Sequence, residues 1–72
     1  KDLGKLQDAE FYTRRAVTIN PDYPEAHSNL GSILSDLGRL QDAEICIRKA
    51  IEINPDYQEA HSNLFSLLID LG

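Results

Sequence analysis

Residues 1–34 read KDLGKLQDAEFYTRRAVTINPDYPEAHSNLGSIL, and residues 35–68 read SDLGRLQDAEICIRKAIEINPDYQEAHSNLFSLL. The two segments differ at positions 1, 5, 11, 12, 13, 15, 17, 18, 24, 31 and 33 and agree at the other 23 of 34. Residues 69–72, IDLG, begin a third copy. A fixed period of this length marks a solenoid, in which one supersecondary unit buries its apolar face only by stacking on its neighbours. The fold class follows from the period, and most catalytic readings fall with it.

Two Asn-Pro pairs, Asn20-Pro21 and Asn54-Pro55, punctuate the chain. Proline pushes the preceding residue out of the α region, so helices should end near Ile19 and Ile53. Gly4, Gly38 and Gly72 mark the opposite boundary as helix stops after Leu3, Leu37 and Leu71. The expected helices span 5–19, 24–37, 39–53 and 58–71. Connections this short force antiparallel neighbours.

Segment 39–53 places Leu40, Ala43, Ile47, Ala50 and Ile51 on one stripe, widened by Ile45, Cys46 and Ile53. A surface helix needs an apolar stripe of only about 100°. This one therefore meets neighbours on more than one side. Segment 24–37 has Ala26, His27, Leu30, Ile33, Leu34 and Leu37 as its apolar face. Its polar residues Glu25, Ser28, Asn29, Ser32 and Asp36 fall within an arc of roughly 100°. The next copy repeats them as Glu59, Ser62, Asn63, Ser66 and Asp70. Stacking would align these small polar faces into one surface.

A formal charge of −5 disfavours nucleic acid and anionic membranes, since both need a clustered basic face. The nearest approach to a cluster is Arg14-Arg15 or Arg48-Lys49. The single Cys46 cannot pair within the chain, so nothing demands an oxidising compartment. There is no apolar run of membrane-spanning length, no signal-peptide pattern and no N-x-S/T sequon. The setting expected is intracellular and cytoplasmic. The chain starts at Lys1 and breaks off in mid-repeat, which reads as a fragment of a longer array.

The spacing of small and apolar positions resembles the tetratricopeptide repeat, a 34-residue helix-turn-helix unit with the pattern W-x2-L-G-x2-Y…A-x3-F…P. Here His27, Leu30, Gly31, Leu34, Ala43, Ile47, Ala50 and Pro55 occupy those positions, followed by His61, Leu64, Phe65 and Leu68. The resemblance covers the whole chain. It implies an all-α, right-handed superhelical solenoid of antiparallel helix pairs, with the four helices in the order B-A-B-A and the A helices lining a concave face. The wording NPDYPEAHSNLGSILSDLG is also similar to the repeats that precede the catalytic domain of O-linked N-acetylglucosamine transferase, and to bacterial arrays of the same kind. Only the repeat portion is matched, so no catalysis carries over. Three departures stand out. His27 and His61 replace the bulky aromatic, Thr13 stands where the second copy has Ile47, and Phe65 replaces the small Gly31. A Phe there holds a following helix away, or covers apolar surface where no helix follows.

Asn29 and Asn63 are the leading binding candidates. Packed helices lie about 8–10 Å apart and an extended peptide advances about 3.3 Å per residue, so roughly three peptide residues span one repeat. A carboxamide both donates and accepts, so it can hold a peptide backbone regardless of side chains. The glycosyltransferase resemblance implies an asparagine ladder of this kind. The alternative is a local bond to a neighbouring helix. Asp36 and Asp70 lie two turns further on and would bond hydroxyl or basic groups, the alternative being solvated acids near a helix end. Ser28, Ser32, Ser62 and Ser66 complete the candidate peptide-binding set. Glu25 and Glu59 sit in first turns, where negative charge suits the helix dipole.

His27 and His61 are a full repeat apart with no further ligands at metal spacing, so they read as core packing and no metal or cofactor is expected. Cys46 reads as core or partly exposed, and Tyr23 and Tyr57 as packing under the turn between repeats. Adjacent helical residues diverge, so Ser28-His27 and Ser62-His61 form no catalytic pair. The expected function is non-catalytic: a protein-interaction module holding an extended protein or peptide ligand. The rivals are end-to-end self-association through apolar faces left open at both ends, and a substrate-recruiting segment of a larger transferase.

Overall fold

A computed structural model describes residues 3–72, with side-chain exposure from Gly4 onward. The described residues form four helices and no strand: α1 (Leu3–Ile19), α2 (Pro24–Asp36), α3 (Leu40–Ile53) and α4 (Gln58–Leu71). The chain is an all-α helical repeat.

Helix ends follow the local chemistry. α1 and α3 stop at the residue before each Asn-Pro pair, and Asn54 is extended (φ −135°, ψ 92°) as a following proline demands. The Asn54 carboxamide then accepts from the Asp56 amide at 3.2 Å, closing the turn into α4. Pro24 opens α2, where its missing N–H is no loss. α2 stops at Asp36, one residue before the expected end, and α3 starts at Leu40, one residue late. Between them Gly38 takes φ +85°, Gly38 N–H bonds Ser35 O, and Arg39 N–H bonds Leu34 O. That double closure is a Schellman cap and needs the positive φ that glycine adopts freely.

Gly4 behaves differently. The expected stop there is not found, because Leu3 and Gly4 are the first residues of α1. The equivalent Leu37 and Gly38, by contrast, reverse the chain between α2 and α3. The rest of the helix end expected ahead of Gly4 falls on Lys1 and Asp2, outside the described residues.

The core lies between α2, α3 and α4. Leu30, Leu34, Ala43, Ile47, Ala50, Ala60 and Leu67 form one buried cluster. α2 packs most extensively on α3, which also receives α4, while α1 packs on α2 alone among the helices. Gly31 allows the tight α2–α3 approach. A Cβ there would sit 2.5 Å from Ile47 Cγ1 and 3.1 Å from Ala43 O. α3 thus has neighbours on two sides, as its wide apolar stripe predicts. The stripe still exceeds the neighbours, for Ile45 remains 68% exposed. No described helix is long and apolar enough to cross a membrane.

Candidate functional site

Repetition of the sequence places equivalent side chains on adjacent helices, and the polar faces of α2 and α4 meet along a shallow groove of about 110 Å³. Ser32, Ser35 and Asp36 line it from α2, and Asn63, Ser66, Leu67 and Asp70 from α4, over a floor at Ile47. Five of the eight binding candidates are therefore brought together: Ser32, Asp36, Asn63, Ser66 and Asp70. No Lys or Arg lines the groove, and both aspartates do. Hydroxyls, a carboxamide and two carboxylates favour a ligand rich in N–H and O–H donors, with positive charge preferred.

The other three candidates fall elsewhere. Ser28 is fully buried, because α4 covers it, and its Oγ accepts from Asn63 Nδ2 at 3.1 Å. It is a helix-to-helix contact and leaves the candidate surface. Asn63 has accordingly committed one N–H to a neighbouring helix and keeps its carbonyl oxygen and second N–H. Asn29 and Ser62 are exposed on α2 and α4, outside the groove. They are the repeat equivalents of Asn63 and Ser28, and among the described residues no helix covers them as α4 covers Ser28. Tyr57, half-buried beside this contact, has its phenol pushed above the ordinary value by burial and then by the charges of Glu59 and Glu25, with Ser28 opposing.

Both histidines do more than fill space. His27 Nε2 donates to Pro21 O at 2.6 Å, and His61 Nε2 donates to Pro55 O at 2.7 Å. A carbonyl only accepts, so the ring carries its hydrogen on Nε2. Each bond ties the inter-repeat turn to the helix that follows. The ordering His-after-Asn-Pro at fixed spacing in both copies was the available signal. Tyr23, unlike Tyr57, is half exposed, and its hydroxyl donates to Glu25 at 2.8 Å. The Tyr23–Glu25 contact raises the phenol's pKa through that hydrogen bond first and the charge second.

A second link joins repeats on the opposite edge. Arg39 forks onto Glu10, Nη1 to Oε2 at 2.8 Å and Nη2 to Oε1 at 3.2 Å, while Arg14 Nε reaches the same Oε2 at 2.8 Å. The recurrence of an acid at 10 and 44 and a base at 5 and 39 would have signalled it. Of the two basic pairs noted in the sequence, Arg14, Arg48 and Lys49 border one recess of about 530 Å³ lined by α1, α2 and α3. Each of these cations already meets a carboxylate, Glu10, Glu44 and Glu52 respectively. Cys46 lines the same recess, where burial pushes its thiol pKa up and outweighs the nearby Arg14. Such a thiol is a poor nucleophile. Among the described residues no three metal-ligating side chains converge.

Compared with models of protein families, residues 24–57 match the tetratricopeptide repeat. The match spans α2, the Gly38 turn and α3 as one complete unit, leaving α1 and α4 as half-units on either side. A search of curated proteins found no match.

Proposed function

We propose that this chain, whose central 34 residues match the tetratricopeptide repeat, is a non-catalytic protein-interaction module that holds an extended peptide along the α2–α4 groove. Repeats of this family generally mediate contacts between proteins. The observation that carries the finer reading is the groove itself. Ser32, Asp36, Asn63, Ser66 and Asp70 line one trough that core packing does not require, and its only charges are negative.

At about three peptide residues per repeat, the two repeats engage a short segment. The preferred segment carries Lys or Arg together with Ser or Thr. The resemblance to glycosyltransferase repeats adds a role for the asparagines. Asn29, with no carboxamide bond among the described residues, and the uncommitted half of Asn63 would hold the peptide main chain. Within a longer transferase the same groove would recruit substrate.

Fluorescence anisotropy with two labelled octapeptides, one Lys/Ser-rich and one Glu/Ser-rich, tests this. The basic peptide should bind more tightly, and more weakly as salt rises. The Asp36→Asn, Asp70→Asn chain should lose most of that preference while keeping its helical circular dichroism. Equal binding of both peptides, or an unchanged affinity in the double variant, overturns the proposal.

A further inference from the structure

We propose that the recess between α1 and α3 is a second docking site, taking an acidic peptide segment that carries one apolar side chain. It is independent of the α2–α4 groove, with which the recess shares no lining residue.

The recess is a product of stacking. α1 and α3 each pack on α2 and not on one another, which leaves an open trough of about 530 Å³ above α2. Clefts that hold ligands have volumes of about 300–1,000 Å³. All three walls belong to this chain, so the trough does not arise from where the sequence begins or ends. A helix ahead of α1 would, by the repeat, meet Ala9 and Thr13 as Gly31 meets Ala43 and Ile47, and neither of those residues lines the recess.

Its surface divides into an apolar floor and a basic rim. Leu30 belongs to the buried core cluster, and Val17 and Cys46 pack against that cluster, so the floor is continuous with the core. Ile45 stands beside them and is 68% exposed. Arg14, Arg48 and Lys49 supply the rim, and Glu52 is the one lining carboxylate. Three cations against one acid run counter to a chain of formal charge −5. They also invert the α2–α4 groove, which has two aspartates and no Lys or Arg. The pattern recurs: Ile45, Arg48 and Lys49 have Phe11, Arg14 and Arg15 as their equivalents one repeat earlier.

The ion pairs already present leave these cations usable. Arg14 meets Glu10, Arg48 meets Glu44 and Lys49 meets Glu52, with the cationic side chains 49%, 57% and 46% exposed. Pairs this exposed are weak. Among the described residues both arginines pair through Nε, so their Nη hydrogens remain to meet a second carboxylate. Glu10 is shared with Arg39, which divides the counter-charge that Arg14 receives. Carboxylates of a docked segment meet the rim, and its apolar side chain covers Ile45 and the floor. A nucleic-acid backbone offers negative charge too, but it has nothing to place on that floor and meets the repulsion of a net acidic chain.

Fluorescence anisotropy on the whole 72-residue chain is the test, with a labelled octapeptide of glutamates around one central leucine. The leucine peptide should bind, and bind more weakly as salt rises. A version with serine in place of the leucine should bind about fivefold more weakly. Arg48→Gln with Lys49→Gln should weaken the leucine peptide about tenfold. Ile45→Ala should weaken it about fivefold. All three side chains are exposed, so helical circular dichroism should persist in both variants. Amide chemical shifts should move at Val17, Cys46 and Lys49 and stay fixed at Asn63 and Ser66, which separates this site from the groove. Absence of binding, equal affinity of the serine version, or a labelled oligouridine that binds as tightly overturns the proposal. So does an unchanged affinity in either folded variant, or shifts centred on Asn63 and Ser66.

Discussion

Replacing Gly31 with Ala sets two effects of known size against each other. Alanine is the better helix former by about 1 kcal/mol, so the change should stabilise an open helix. Gly31, however, faces α3 with a Cβ position 2.5 Å from Ile47 Cγ1, 3.1 Å from Ala43 O and 3.2 Å from Ile47 Cδ1. Ile47 is only 1% exposed, and its Cγ1 is next to the branch point, so the clash cannot be relieved by swinging a chain end into solvent. Overpacking of this kind costs about 1–3 kcal/mol. The packing effect wins, and Gly31→Ala should destabilise the α2–α3 pair by about 1 kcal/mol net. Native-state hydrogen exchange at the Ile47 and Ala50 amides reads that opening directly. Ile47→Ala alone should cost about 2–5 kcal/mol from the cavity it leaves. In combination the added methyl enters that cavity, so the double variant should be less destabilised than the sum of the two singles. Exchange protection equal to or above that of the unaltered chain in Gly31→Ala would refute the close-approach argument, and strict additivity would show that the two side chains do not meet.

Asn63→Ala should destabilise the chain by about 1 kcal/mol, because the buried Ser28 hydroxyl loses its Asn63 donor; restoration by Ser28→Ala in the same chain, read by urea unfolding, is the check. His27→Ala should cost more than His61→Ala, as His27 is buried and His61 exposed, with the Pro21 carbonyl bond worth about 1 kcal/mol; a reversed order in thermal melts would count against the turn-closing role. Burial raises the folded Cys46 thiol above its ordinary pKa, so the folded state holds that proton longer than the unfolded one. Its stabilisation is complete below about pH 9 and is lost as pH rises through the folded pKa, and Cys46→Ala should flatten that part of the stability–pH curve relative to the unaltered chain.

The helices and their core faces were legible in the sequence because the signals are local or periodic. Asn-Pro ends a helix through the proline ring alone, and the stripe through Leu40, Ala43, Ile47 and Ala50 follows from 3.6 residues per turn. Gly38 could be assigned to a left-handed cap for the same reason. Gly4 does not follow the same signal, since it lies in the first turn of α1. Shared faces were also predictable, which is why Asp36, Ser32, Asn63, Ser66 and Asp70 gather in one groove. The division of labour within the face was not. Ser28 and Ser62 are identical in local sequence, yet one is sealed by α4 and the other is open, a difference that depends on distant helices. The Glu10–Arg39 fork and the His–Pro bonds escaped for another reason: each joins a helix to a turn, and helical periodicity does not encode that reach.

No side chain of α1 described here is fully buried, and its helical contact is with α2 alone. Its attachment rests on Val17 against the core and on the Glu10–Arg39 fork. The opposite end differs, since Ala60 and Leu67 of α4 are both in the buried cluster. Opening of the molecule should therefore be graded and one-sided: α1 detaches while α2, α3 and α4 stay together, and its amides exchange first. A departing α1 would uncover the far side of α2 without disturbing the α2–α4 groove. High salt, by weakening the Glu10–Arg39 pair, would shift the chain toward a three-helix state that still presents its acidic trough.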